Sequence, residues 1–221
     1  MPVQVELIPV VEFAPMDYAT SERKTPAGGD EGEWARYWKA STTDAGLELS
    51  AVSQGSWFVP VAQLQETSSL LAFLQVALKH CGIEHPETMM QETLEQIGPP
   101  LGGYALHVSG QTLVLPGCCA DLSNLEEWLR VEEERPTDWY YVWNGHDSPT
   151  GELRIRFAAP NFVVAIGTER QVEVEQMVFE EAVQRAQAEV FAFRRRLALV
   201  AGTLVPNIVG EEMARILTEG H

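Results

Sequence analysis

Two adjacent thiols, Cys118-Cys119, and a histidine followed by an acid, His146-Asp147, are the residues of this chain whose types can do chemistry. A cysteine thiolate is a nucleophile and a soft ligand, and an imidazole is a base near neutral pH. As a catalytic set, Cys118 or Cys119 attacks, His146 takes the proton, and Asp147 or Asp121 orients the ring. The local sequence can activate a thiol. The pair follows Pro116-Gly117 and precedes a helix start where Asp121 or Ser123 caps and Ser123 with Glu126 forms a capping box. A thiol there feels the positive end of the helix dipole. Adjacent cysteines can close only a strained disulfide, because ordinary bridges want their Cα atoms farther apart.

The same residues have a plainer reading. Cysteine packs as a small hydrophobe, which predicts a pair that is reduced, buried and slow toward thiol reagents. His146-Asp147 lies in Asn-Gly-His-Asp-Ser-Pro-Thr-Gly, a run dense in turn formers. This reading assigns no catalytic residue, and a thiol-dependent enzyme or redox protein using Cys118, Cys119, His146 and Asp147 is the alternative. A metal set would gather Cys118, Cys119, His107, His146 and Asp147, yet structural zinc sites carry C-x2-4-C or H-x3-5-H spacing. Only His80-x4-His85, with Cys81 between, approaches it. Neither a metal nor a cofactor is expected. The chain also has no dinucleotide or P-loop glycine motif, no H-E-x-x-H and no G-x-S-x-G.

Charge points elsewhere. The 32 acidic residues against 15 basic ones give a formal charge of −17. Such a field repels phosphate backbones, so nucleic-acid binding is not expected, and it accelerates encounter with a basic protein. Glu132-Glu133-Glu134, following Glu126-Glu127, is the candidate docking surface, although a solvated helix face is its plainer reading. Arg194-Arg195-Arg196 reads as a solvated face of another helix. Three cysteines without regular spacing argue against a secreted disulfide framework. The N-terminal MPVQVELIPV lacks a signal-peptide pattern and no run reaches the ~18 apolar residues of a membrane span, so the expected location is cytoplasmic and off the membrane.

Elements must position these residues. Val3 to Phe13 reads as a strand with Pro9 within it, and residues 14–33 as a long mobile loop. Trp34, Tyr37 and Trp38 have helical spacing and face a core. Strands are predicted at Leu47–Val52 and Trp57–Leu64, and helices at Ser68–Cys81, stopped by Gly82, and from Pro86 to Ile97. Tyr104–Leu115 is a hairpin turning at Ser109-Gly110, with Tyr104, Leu106 and Val108 inward and His107 outward. Trp128 and Leu125 point into the core. WYYVW, ELRIRF and FVVAI supply three more strands. From Thr168, capped with Gln171, a long helix is predicted to about Val200 along Val174, Met177, Val178, Ala182, Arg185, Ala186, Val190, Phe193 and Leu197, with Pro206 ending it and a last helix at Ile208–Leu217.

The block from Leu113 to Phe157 resembles a stretch of a family of uncharacterised bacterial proteins that pair two cysteines with Asp-Leu, a helix tryptophan and Trp-x-Gly-His. Cys118, Cys119, Asp121, Leu122, Trp128, Trp143, Gly145 and His146 fit that pattern. Asp147-Ser148 departs from its usual proline-and-tryptophan ending. The resemblance implies no activity. At the level of class alone, small acidic α+β proteins are similar to immunity proteins that neutralise bacterial toxins. The sequence therefore predicts one α+β domain, an antiparallel sheet of six to eight strands with helices packed on it and a long C-terminal helix. Its leading function is that of a non-catalytic cytoplasmic binding protein, an immunity-like inhibitor of a basic partner.

Overall fold

The computed structural model describes residues 4–19, 23–26, 30–168 and 170–220. Its elements in chain order are β1 (Val5–Glu12), α1 (Glu31–Asp44), β2 (Phe58–Pro60), α2 (Thr67–His80), β3 (Gly102–Val108), β4 (Gln111–Val114), α3 (Leu125–Glu134), β5 (Tyr140–Val142), β6 (Leu153–Ala158), β7 (Asn161–Ile166), β8 (Arg170–Glu175), α4 (Gln176–Leu204) and α5 (Gly210–Glu219). The class is α+β, as the sequence predicts. The eight strands form two four-stranded sheets where one was expected. The chain divides into two compact units, Met1–Val10 with Leu101–Val190, and Val11–Pro100 with Phe191–His221, so the boundary falls within β1 and within α4.

In the first unit, β5, β6, β7 and β8 make an antiparallel meander. β6 alternates between buried and half-buried residues at its start, while β7 is buried along Phe162–Ile166. Ile155, Val164 and Phe162 are buried, and Phe162 stacks on Phe179 of α4 at 4.3 Å between ring centroids. Trp128 of α3 lies 6.3 Å from the same Phe179 ring and is 1% exposed, while Leu125 is only half-buried. The predicted helix start at Thr168 is overturned: Arg170–Glu175 is β8, paired along its length with β7. The run RQVEVE has the two-residue period of a strand, and that pairing outweighs the capping-box signal. Met177 is accordingly exposed, and α4 buries Phe179, Ala182, Val183, Ala186, Val190, Phe193 and Leu197.

β3 lies between β1 and β4, and the β3–β4 hairpin forms with its turn where Ser109-Gly110 predicts it. Tyr104, Leu106 and Val108 are buried, and the Tyr104 hydroxyl donates to the Leu122 carbonyl at 2.7 Å, tying the hairpin to the approach of α3. The Asp121 carboxylate accepts from the Ser123 amide at 2.8 Å, and the Asn124 side chain accepts from the Asp121 amide at 3.0 Å. This reciprocal box precedes α3 in place of the expected Ser123–Glu126 pair.

In the second unit, Asp30 caps α1 by accepting from Gly32 and Glu33 amides, and Tyr37 and Trp38 are buried as their spacing predicts. Leu70, Phe73, Leu74 and Leu78 form the buried stripe of α2, and Gly82 at φ 80° follows its end. Two expectations fail here. Leu47–Val52 is no strand, because the Gln63 side chain takes up the Ser50 amide and carbonyl that a neighbouring strand would otherwise satisfy. The helix predicted from Pro86 to Ile97 is two 3-10 turns, Pro86–Thr88 and Gln91–Gln96. The expected strand at Trp57–Leu64 shortens to β2 and a 3-10 turn. Of the interval 14–33 expected to be mobile, residues 20–22 and 27–29 lie outside the described residues, as does Val3 of the predicted first strand.

Candidate thiol–imidazole site

The chain leaves β4 through Pro116-Gly117 and leaves β5 through Asn144-Gly145, and the two exits run side by side. The Gly117 amide donates to the Asn144 carbonyl at 2.7 Å. Cys118 and His146 then exchange both backbone hydrogen bonds at 2.8 Å, a single antiparallel bridge. Side chains brace it. Asn144 Nδ2 and Ser148 Oγ both donate to the Leu115 carbonyl at 2.8 Å, and the Leu115 amide donates to Thr150 Oγ1 at 3.2 Å.

Glycine is required at both crossing points. A Cβ on Gly117 would lie 2.0 Å from the His146 carbonyl oxygen. One on Gly145, held at φ 83°, would lie 2.6 Å from that of Cys118. These are backbone atoms, so no rotamer change relieves the clash.

The bridge sets the imidazole beside the thiols. Along a regular strand neighbouring side chains point to opposite faces. Cys119 at φ 65° departs from that geometry, and its sulfur lies within 4.8 Å of that of Cys118. One donor atom from each of Cys118, Cys119 and His146 lies within 4.8 Å of the other two. Trp143 stands edge-on to the His146 ring at 4.8 Å between centroids.

The expectation that the cysteines are packed is overturned: both are exposed and no disulfide joins them. Pro116, Gly117 and Ala120 occupy the buried positions of this segment, which leaves the two thiols outside. The Cys118 thiol is pushed above its ordinary value. Partial desolvation of the sulfur contributes most, followed by the neighbouring Cys119 thiol and the charge of Asp147, with a backbone hydrogen bond acting in the opposite direction. That direction is opposite to the one the helix-dipole reading predicts.

Other candidates are placed elsewhere. Asp121 is engaged in its capping box, and Asp147, at φ 49°, acts on Cys118 as a charge without entering the donor cluster. His107 is half-buried and bonds Thr112 Oγ1 at 2.9 Å across the hairpin. His80 pairs with Asp17 and His85 with Glu87, both in the second unit. Of the acidic run, Glu132 accepts from Gln184 of α4 at 3.0 Å, whereas Glu133 and Glu134 are exposed. Arg194 pairs with Glu219, and Arg196 donates to the Leu64 and Val61 carbonyls, so that cluster is not simply a solvated face.

The sequence reading misses two features. Asn144, Ser148 and Thr150 count there only as turn formers, although each is a brace. Arg154 and Arg156 of β6 stack on Trp139 at 5.6 and 5.0 Å, a ladder legible in the alternation of WYYVW and ELRIRF. Among known proteins, no family model, no curated protein and no solved structure matches this chain.

Proposed function

We propose that this protein binds a thiophilic metal ion through Cys118, Cys119 and His146. The observation that carries the reading is the convergence of two sulfurs and an imidazole nitrogen within 4.8 Å, from two loops locked by a glycine-dependent bridge. Sulfur and nitrogen donors lie about 2.0–2.3 Å from zinc, so around one tetrahedral ion they stand about 3.3–3.8 Å apart. The three donors, within 4.8 Å of one another, need draw in by about 1 Å to meet on one ion, a movement that rotamers of exposed side chains supply. The chemistry of the set suits zinc, cobalt or another borderline-to-soft ion. A bound ion displaces the thiol protons itself, so the set needs no free thiolate at rest.

The test is Co2+ titration of the reduced protein under anaerobic conditions. One equivalent is expected to produce an intense near-ultraviolet thiolate-to-cobalt band, with both Cys118→Ser and Cys119→Ser reducing it. His146→Ala is expected to weaken binding by at least about 10–100-fold, the loss typical even of residues that only support a ligand. A wild-type protein that shows no such band overturns the reading.

A second reading is favoured by the exposure of Glu133 and Glu134 at the end of α3 within a chain of charge −17. These carboxylates form an encounter surface for a basic protein partner, the role an immunity-like inhibitor requires.

A further inference from the structure

Three donors leave a zinc-type ion one short of four, the arrangement in which an ion keeps a position for an outside ligand. Among the described residues, no fourth His, Cys, Asp or Glu atom joins the Cys118, Cys119 and His146 cluster. All three residues are exposed, so an ion held by them would be within reach of solvent. Two thiolates and a neutral imidazole balance the charge of a dication. The Asp147 carboxylate beside them and the charge of −17 then make an arriving anion unwelcome. Trp143, 41% exposed and in contact with the His146 ring, supplies aromatic surface at the same place.

Resting on the metal reading above, we infer that the site presents its ion, through an open position beside Trp143, to a neutral heteroaromatic nitrogen donor of the imidazole type. A ring of that kind carries no charge for the field to repel, offers a borderline nitrogen to the ion, and has a face or edge for the indole. The histidine side chain of another polypeptide has this chemistry.

The experiment uses the full chain loaded with one equivalent of Co2+, whose visible bands report coordination while the thiolate band reports the protein donors. Imidazole and azide are added in separate titrations. The visible bands are expected to shift saturably with imidazole, at a midpoint about tenfold or more below that of azide. Trp143→Ala is expected to raise the imidazole midpoint roughly three- to tenfold, the range of an aromatic contact. A thiolate band with visible bands indifferent to imidazole shows a closed site and overturns the inference. Azide binding as tightly as imidazole overturns it too, as does an unchanged midpoint in Trp143→Ala. If Asp147→Asn turns an indifferent site into a responsive one, Asp147 is the fourth ligand and the position is not open. Absence of the thiolate band from the outset defeats the metal reading itself, so the two failures are distinguishable.

Discussion

Gly117 and Gly145 show how a site of exposed side chains can depend on residues that contribute no chemistry. Gly117→Ala places a methyl against the His146 carbonyl, and the loops must part to admit it. We expect a loss of about 1–3 kcal/mol in urea unfolding, the usual range for overpacking, together with weaker Co2+ binding. Gly98→Ala is the control, since nothing lies within 4 Å of its Cβ and its φ is not positive. Sequence names the thiols and the histidine by type alone. It does not show that they meet, because a pair of glycines carries no record of which backbone each approaches. It also misjudges exposure, since cysteine's general preference for burial says nothing of a loop whose buried positions are taken by Pro116, Gly117 and Ala120.

Elements were more legible where one periodicity ran unopposed. The β3–β4 hairpin, α2 and β6 follow their alternation or stripe, whereas the alternation of β8 was hidden behind a capping-box signal and the 47–52 segment turned on a Gln63 contact that no local window contains. Trp128 is the packing centre of α3 against Phe179, and Trp128→Ala should cost about 3–5 kcal/mol by chemical denaturation. β1 offers a pH-dependent test. Burial raises the Glu12 carboxyl above 4.5, Asp17 adds to the effect, and His80 opposes it. The native state therefore holds this proton more tightly than the unfolded chain, and stability is lost as pH rises from about 4.5 through the raised value. Glu12→Gln should raise the urea midpoint at neutral pH, with the difference from wild type vanishing below the ordinary carboxyl range. A gain of equal size at pH 3.5 and pH 7 would show that the effect is not ionic.

For the whole molecule, the charge of −17 governs encounter more than fold. If a basic protein docks on Glu133 and Glu134, its association rate should fall steeply with salt, because the Debye length shrinks from about 10 Å at 0.1 M to about 3 Å at 1 M. Glu133→Lys with Glu134→Lys should slow association more than it speeds dissociation in stopped-flow or surface kinetics. Equal rates at both salt concentrations would remove the docking proposal and leave the charge as a solubility device. Among the described residues no helix is long and apolar enough to cross a membrane.

The bridge between Cys118 and His146 joins positions 28 apart in the chain. In the unfolded polypeptide the two sulfurs remain neighbours, but the imidazole returns to them only after closure of a loop whose entropy costs about 3 kcal/mol. An ion that accepts all three donors therefore distinguishes folded from unfolded chains, and at about one hundred times its dissociation constant it would add up to about 2.7 kcal/mol to stability, less what the two sulfurs still bind in the unfolded chain. Competition with a metal-sensitive dye would then gauge the folded fraction of the chain, since the third donor arrives only when α3 and β5, which lie between the two loops, have brought His146 home.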